Sequence, residues 1–172
     1  MKTLYILRHA KAEAEGGDGD AERPLTKRGR KAAAAMGEYL ASFKPAPRLV
    51  LCSTSLRTRE TLEAILPALA PVPQTLFEDA LYLASTSRLL DRLQRVPEHT
   101  ESVLVIGHNP GLHQLAAALA SEASELAEGF PTAALAVLRI AGAWSGLKPR
   151  QATLIDFKTP KALRNDPDFG PD

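Results

Sequence analysis

The sequence predicts an α/β protein, a single three-layer α/β/α domain with a mostly parallel central sheet. Short apolar runs alternate along the chain with longer segments of helical periodicity. Two of these runs, Leu49–Leu51 and Val103–Ile106, are continuously apolar, which is typical of strands covered by helices on both faces. At 172 residues the chain is long enough for one well-buried domain and short for two.

The predicted elements alternate between strand and helix. The strands are the apolar runs Thr3–Leu7, Arg48–Cys52, Ser102–Ile106, Ala134–Ile140 and Ala152–Phe157. A first helix is predicted after the N-cap residue Thr26, over Lys27–Phe43, and prolines end it. Further helices are predicted from the Ser53–Ser55 segment to Leu66, over Ser85–Gln94 and over Gly111–Ala120.

Two segments are expected to be irregular. Gly16–Asp20 has the composition of a flexible acidic loop, and it follows the first strand closely. The chain end, Asn165–Asp172, consists largely of Asn, Asp, Pro and Gly. We therefore expect residues 1–160 to form the domain and residues 161–172 to be a loosely ordered tail.

Composition excludes several classes of function. Lys plus Arg number 21 and Asp plus Glu 20, so no overall charge recruits nucleic acid or an anionic membrane surface. Aromatic residues make up only 5%, too few for a base-stacking platform. No apolar run approaches the roughly 18 residues that a membrane helix needs. With its one cysteine, Cys52, the chain is expected to be a soluble cytoplasmic protein that binds neither nucleic acid nor membrane.

Polar residues follow three of the apolar strands at the point where each strand ends. Arg8 and His9 follow the first strand, Arg57 comes soon after the second, and His108 and Asn109 follow the third. Because ligands bind beyond the carboxyl ends of parallel strands, we expect these side chains to converge on one crevice. Guanidinium groups bind phosphate oxygens in a planar fork, and imidazole is a nucleophile for phosphorus. The sequence therefore predicts a phosphate site.

The same residues carry a resemblance to a known family. The chain resembles the histidine phosphatase superfamily, which includes the cofactor-dependent phosphoglycerate mutases, in the order and spacing of its motifs from residue 3 to about residue 140. The motifs are Leu7-Arg8-His9-Ala10, Arg23-Pro24-Leu25-Thr26-x-x-Gly29, Ser53-x-x-x-Arg57-x-x-x-Thr61 and Gly107-His108-Asn109-Pro110. Chain length and the Arg-His-Ala-Lys and Arg-Pro-Leu-Thr segments most resemble the SixA-type phosphohistidine phosphatases. The resemblance implies a phosphoglycerate mutase-like fold.

The resemblance also implies roles for four residues. His9 would be the nucleophile that becomes transiently phosphorylated, and Arg8 and Arg57 would bind the phosphoryl oxygens. His108 would be the second histidine against the same group. These roles suit phosphoryl transfer, which depends on positioning and on neutralising charge on three equatorial oxygens. Nearby cations keep His9 neutral, and we expect an acceptor such as a backbone carbonyl to fix its tautomer.

Two further residues have alternative interpretations. Asn109 either donates to a phosphoryl oxygen or serves as the turn residue before Pro110. Arg23 either reaches the rim of the phosphate pocket or is a solvated loop charge. No spacing of metal ligands is present, because His113 follows His108 by five residues rather than four. We therefore expect no metal and no cofactor.

The sequence departs from the family pattern at the residue that serves as general acid. Many members carry an Asp or Glu there, whereas the aligned position in this chain falls near Ala80, with Glu78 and Asp79 as candidate acids beside it. Protonating an alkoxide leaving group is worth roughly 10²–10⁴ in rate. Imidazole leaves more easily, because its conjugate acid has a pKa of about 6.5. Because the aligned position falls near Ala80 rather than on an acid, the sequence favours cleavage of a P–N bond.

Three hypotheses about function follow. The leading hypothesis is a metal-independent phosphatase that hydrolyses phosphohistidine through a phospho-His9 intermediate, with a phosphohistidine-containing protein, such as a histidine phosphotransfer domain, as partner. The alternative is a small-molecule phosphomonoesterase that uses Glu78 or Asp79 as general acid. The third is a module that binds phosphohistidine without turning it over, for which the nucleophile would be unnecessary.

Overall fold

A six-stranded mixed sheet organises the chain in the computed structural model, which describes residues 1–168. In chain order the helices and strands are β1 (Lys2–Arg8), α1 (Lys27–Leu40), β2 (Leu49–Ser53), α2 (Leu56–Ile65), β3 (Gln74–Glu78), α3 (Thr86–Gln94), β4 (Ser102–Gly107), α4 (Gly111–Leu119), β5 (Leu135–Ile140), β6 (Ala152–Lys158) and α5 (Pro160–Arg164). The strand order across the sheet is β3-β2-β4-β1-β5-β6. This is the predicted α/β class.

The strands whose ends carry the predicted site residues pair in parallel. β1 pairs with β4, β4 with β2 and β2 with β3, all in parallel, whereas β5 and β6 extend the sheet in antiparallel pairing. The three strands that precede the predicted phosphate site, β2, β4 and β1, are therefore neighbours. Their carboxyl ends lie at one edge of the sheet, where the sequence placed the site.

Side chains from the two faces of the sheet enter two separate cores. Leu4 and Ile6 of β1 pack with α3 and α4, while Tyr5 and Leu7 pack with α1, α2 and Leu163 of α5. This alternation is the period-2 pattern of a strand that is buried on both faces. The layers are therefore helix, sheet and helix, as predicted. No helix in the described part of the chain is long and apolar enough to cross a membrane.

Two elements are absent from the sequence-based prediction. β3 is a half-exposed edge strand, so it shows neither a continuous apolar run nor a regular alternation. Helix α5 begins at the last residue of the expected domain and extends into the expected loose tail, because Thr159 caps it, Pro160 takes its first position and Leu163 is buried in the core. Residues 169–172 of that expected tail lie outside the described residues.

Gly29 of α1 packs tightly against the segment that follows β1. A Cβ at this position would fall well inside contact distance of the Lys11 carbonyl oxygen, which also accepts a hydrogen bond from Thr26 N–H at 2.9 Å. Both sides of the contact are backbone, so neither can rotate away. We expect Gly29→Ala to lower the free energy of unfolding by about 1–3 kcal/mol, as measured by urea denaturation.

Gly146→Ala is the matched control for this prediction, since an added Cβ there would meet no atom within 4 Å. Its free energy of unfolding is expected to stay within about 0.5 kcal/mol of the parent. Equal stability of the two variants would contradict the tight packing of α1 on the loop.

Candidate active site

Four predicted residues lie together at the carboxyl edge of the sheet. Arg8, His9, Arg57 and His108 line one cleft of about 360 Å³. The two imidazole rings have centroids 5.4 Å apart, and Arg57 Nη2 lies 3.3 Å from His108 Nδ1. Each comes from a different element: β1, the loop after β1, the first turn of α2, and the loop after β4. The convergence therefore depends on the parallel order of three strands.

The tautomer of His9 is determined by its neighbour. His9 is 7% exposed, and its Nδ1 lies 2.8 Å from the backbone carbonyl oxygen of Ala10. A carbonyl can only accept, so Nδ1 carries the proton and Nε2 keeps its lone pair. The backbone of Ala10 does not adopt positive φ, so a methyl group is tolerated at this position. His9 therefore offers an unprotonated ring nitrogen for attack.

Both histidines are held neutral at physiological pH. The pKa of His9 is lowered to about 4 and that of His108 to about 3, and burial is the largest cause in both cases. The positive charge of Arg57 contributes to the lowering of both pKa values. The hydrogen bond from His9 to the Ala10 carbonyl acts in the opposite direction and is outweighed. A neutral imidazole is the form that can attack phosphorus.

The depressed pKa of His9 predicts a pH dependence of stability. Unfolded histidine binds a proton near pH 6.5, whereas folded His9 resists protonation until about pH 4. Stability should therefore be complete above pH 6.5 and should fall as pH drops towards 4, by about 3 kcal/mol from His9 alone. Urea denaturation at several pH values measures this loss, and His9→Gln should remove the part that His9 causes while leaving the part due to His108. His99→Gln, in an exposed loop, serves as control, and an unchanged slope in His9→Gln would refute the prediction.

Positive charge dominates the cleft. Its described lining contains four cationic side chains, Lys11, Arg8, Arg23 and Arg57, and one carboxylate, Asp20. The Nε atoms of Arg8 and Arg57 are buried and have no hydrogen-bond partner in the structure. Buried polar groups in proteins are normally satisfied, and both of these donors belong to side chains that line the cleft, which favours an anionic ligand there. A phosphoryl group, with oxygens to accept both, fits this role.

Asp20 was not among the predicted site residues. It lies at the end of the Gly16–Asp20 segment and accepts hydrogen bonds from Tyr82, from Arg23 Nη1 at 3.1 Å and from Arg57 Nη2 at 3.0 Å. The hydrogen bonds from Tyr82, Arg23 and Arg57 hold the pKa of Asp20 well below its usual range. The carboxylate is therefore ionised, and it orients Arg57. Its only signal in the sequence is its position just after the Arg-His motif.

Asn109 and Arg23 both line the cleft, but each is already engaged with protein atoms. Asn109 Nδ2 donates to the Phe130 carbonyl at 2.8 Å, and its Oδ1 accepts from His113 N–H at 3.3 Å. Arg23 Nε donates to the Glu13 carbonyl at 2.7 Å. Arg8 Nη1 donates to the same Phe130 carbonyl at 3.1 Å, so Asn109 helps hold the loop that supports Arg8.

Glu78 and Asp79, the candidate general acids, lie outside the cleft lining. Glu78 forms a bidentate ion pair with Arg92 of α3, with N–O distances of 2.7 and 2.9 Å. Asp79 accepts a hydrogen bond from Thr54 Oγ1 at 2.7 Å. Both carboxylates therefore have partners on neighbouring elements, and the structure does not bring either to the two histidines.

Thr61, the last residue of the quoted Ser-Arg-Thr motif, links two parts of the site. Its buried Oγ1 accepts a hydrogen bond from Ala10 N–H at 3.0 Å and donates to the Arg57 carbonyl at 2.7 Å. The residue that orients His9 is thereby tied to the helix that carries Arg57.

Comparison with known proteins agrees with this geometry. Residues 4–81 match the family model of the histidine phosphatase superfamily, branch 1. An uncharacterized protein of Mycobacterium tuberculosis is 37% identical over 162 residues, which span 90% of this chain and 100% of that protein.

Solved structures with similar folds add to this relationship. A SixA from Nakamurella multipartitia, described as a candidate phosphohistidine phosphatase, is 32% identical, with a TM-score of 0.83 over 92% of this chain and 96% of that one. The protein histidine phosphatase SixA complexed with tungstate is 28% identical, with a TM-score of 0.79 over 94% of this chain and 99% of that one. The chain therefore belongs to the histidine phosphatase superfamily, where it is a SixA-like phosphatase.

Proposed function

We propose that this protein is a metal-independent phosphatase that hydrolyses phosphohistidine on a protein partner through a phospho-His9 intermediate. The observation that carries the proposal is the arrangement of His9, whose Nδ1 proton is held by Ala10 and whose Nε2 lone pair is free. Beside it stand two arginines with unsatisfied Nε donors. This arrangement supports the proposal because a candidate nucleophile and groups that can neutralise charge line the same cleft.

The reaction proceeds in two displacements at phosphorus. His9 Nε2 attacks the phosphoryl group, the P–N bond to the substrate imidazole breaks, and that imidazole leaves with the bonding electrons. It takes up one proton only if its ring is not already protonated. Water then attacks phospho-His9 and the second P–N bond breaks, so that His9 recovers its lone pair. Both protons of the water stay on the inorganic phosphate, which leaves as H₂PO₄⁻. Arg8 and Arg57 neutralise the equatorial oxygens in both steps.

The ionised state of the carboxylate that lines the cleft favours a substrate with a P–N bond over one with a P–O bond. Asp20 is the one carboxylate in the described lining, and its hydrogen bonds to Tyr82 and two arginines keep it ionised. An ionised carboxylate cannot protonate an alkoxide leaving group. Imidazole needs no such donor, because its conjugate acid has a pKa of about 6.5. A histidine phosphotransfer domain is a partner of the required chemistry, and a cytoplasmic location fits the free, buried Cys52.

Parallel assays test this proposal. Phosphate release is measured from a phosphohistidine peptide and from an alkyl phosphomonoester, each with and without a chelator. We expect kcat/KM to be at least about 10²-fold higher on the peptide, since the ester lacks an acid catalyst. The chelator should leave both rates unchanged.

Three results would contradict the proposal in different ways. Comparable kcat/KM on the two substrates would favour the phosphomonoesterase. Binding of the peptide without release of phosphate would favour a recognition module. Loss of activity with chelator would contradict metal independence.

A further inference from the structure

Ser53, the last residue of β2, contacts the second histidine directly. Its side chain is fully buried, and its Oγ lies 2.8 Å from His108 Nε2. Helix α2 does not need it as a cap, because Ser55 occupies the N-cap position and accepts from Thr58 N–H. Ser53 Oγ also accepts a long hydrogen bond from Ser55 N–H at 3.5 Å, so the buried hydroxyl faces the ring nitrogen of His108 and has only a weak contact with the start of the helix.

The other ring nitrogen of His108 faces a donor. Nδ1 lies 3.3 Å from Arg57 Nη2, and a guanidinium group has donors but no acceptor. Nδ1 must therefore accept from Arg57. Arg57 Nη2 has two hydrogens, so it can donate to Nδ1 and to Asp20 Oδ2 together. In a neutral ring the proton then lies on Nε2, which donates to Ser53 Oγ.

We propose that Ser53 is a positioning residue that, together with Arg57, holds His108 in the Nε2–H tautomer, so that the Nδ1 lone pair of His108 accepts from Arg57 Nη2 and helps to hold that guanidinium group in the cleft. The catalytic consequence depends on the proposed function, whereas the tautomer does not.

In this arrangement His108 acts on the phosphoryl group through Arg57. The arginines donate to the ionised oxygens of the phosphoryl group, and His108 Nδ1 accepts from Nη2 of Arg57. The hydroxyl of Ser53 is suited to this purpose because it accepts from Nε2–H within a fully buried environment, where an unpaired N–H would be costly.

Nitrogen NMR of the full chain, labelled with ¹⁵N-histidine and free of phosphate, tests the tautomer. The His108 signals are identified as those missing from His108→Gln. We expect a protonated Nε2 and an unprotonated Nδ1 in the parent protein and in Ser53→Thr, which keeps the hydroxyl. A protonated Nδ1 in the parent overturns the proposal whatever the variants do.

Activity and a matched variant complete the test. Ser53→Ala should lose the single tautomer and lower kcat/KM on a phosphohistidine peptide by about 10- to 100-fold, the range seen when partners that orient ligating histidines are removed. Ser53→Thr should restore both. Ser102→Ala is the control, because Ser102 Oγ is equally buried and makes similar bonds to Arg48 and Ala46 at the opposite end of the sheet.

Two outcomes overturn the positioning role. One is an unchanged tautomer and unchanged kcat/KM in Ser53→Ala. The other is an equal loss of kcat/KM in Ser102→Ala, which would indicate a general effect of losing a buried hydroxyl. Should the parent release no phosphate from the peptide, the proposed function fails, and the tautomer is still read by NMR.

Discussion

Replacing His9 by alanine is expected to lower kcat/KM on a phosphohistidine peptide by at least about 10⁴-fold. The variant retains both arginines and the positive cleft, so binding of the phosphoryl group should survive while the nucleophile is gone. The expected pattern is therefore a loss in kcat rather than in KM. Steady-state phosphate release measures both parameters. Rapid acid-free quenching of the parent with labelled substrate should trap one phosphoryl group on the protein, and none on His9→Ala.

His99→Ala is the control for this prediction, because His99 lies in an exposed loop away from the cleft. It should retain the activity and the trapped label of the parent. Free imidazole added to His9→Ala should restore part of the turnover, since the deleted ring leaves a space of its own shape beside the arginines. Label that stays on the protein after His9 is removed would place the nucleophile elsewhere.

Arg57→Lys should cost about 10²–10³ in kcat/KM, although it preserves the charge. The guanidinium donates to the Asp20 carbonyl at 2.7 Å, to Asp20 Oδ2 at 3.0 Å and to His108 Nδ1 at 3.3 Å. Its Nε remains unsatisfied for the ligand. An ammonium group has one nitrogen, so it cannot span these acceptors and a phosphoryl oxygen in one plane.

Arg59→Lys tests whether any arginine on this helix would show the same effect. Arg59 lies two residues further along α2, is exposed, and stacks over the Phe77 ring with its guanidinium carbon 5.6 Å from the centroid. Its kcat/KM should stay within about twofold of the parent, because it contributes nothing to the cleft. Comparable losses in the two variants would mean that net charge, rather than the geometry of Arg57, governs the rate.

Most of the fold could be predicted because the apolar runs of the sequence are the segments that the tertiary structure buries. The continuous apolar runs around Leu51 and Val105 became the central strands, where both faces are covered. The prediction missed β3, since an edge strand that is half exposed has no such signature. It also missed α5, although Thr159 followed by Pro160 is a recognisable start for a helix.

The candidate site likewise contains residues that the sequence predicted and one that it missed. Arg8, His9 and His108 could be nominated because each lies at or directly after the end of a buried strand, and Arg57 because it lies in the first turn of the next helix. Asp20 was missed because it comes from an irregular loop, and its role exists only where that loop folds back over Arg57. Glu78 and Asp79 were nominated for their place along the chain, whereas their carboxylates bind other partners.

By itself the sequence determined the α/β class, the order of the central elements and the identity of the paired arginines and histidines. An apolar run and the polar residues that follow it are properties of a short segment, so both can be recognised before the fold is known. Only the tertiary structure decided which ring nitrogen of His9 and of His108 holds the proton. Those protons are assigned by the Ala10 carbonyl, Ser53 and Arg57, and for His108 these partners come from elements more than fifty residues away in the chain.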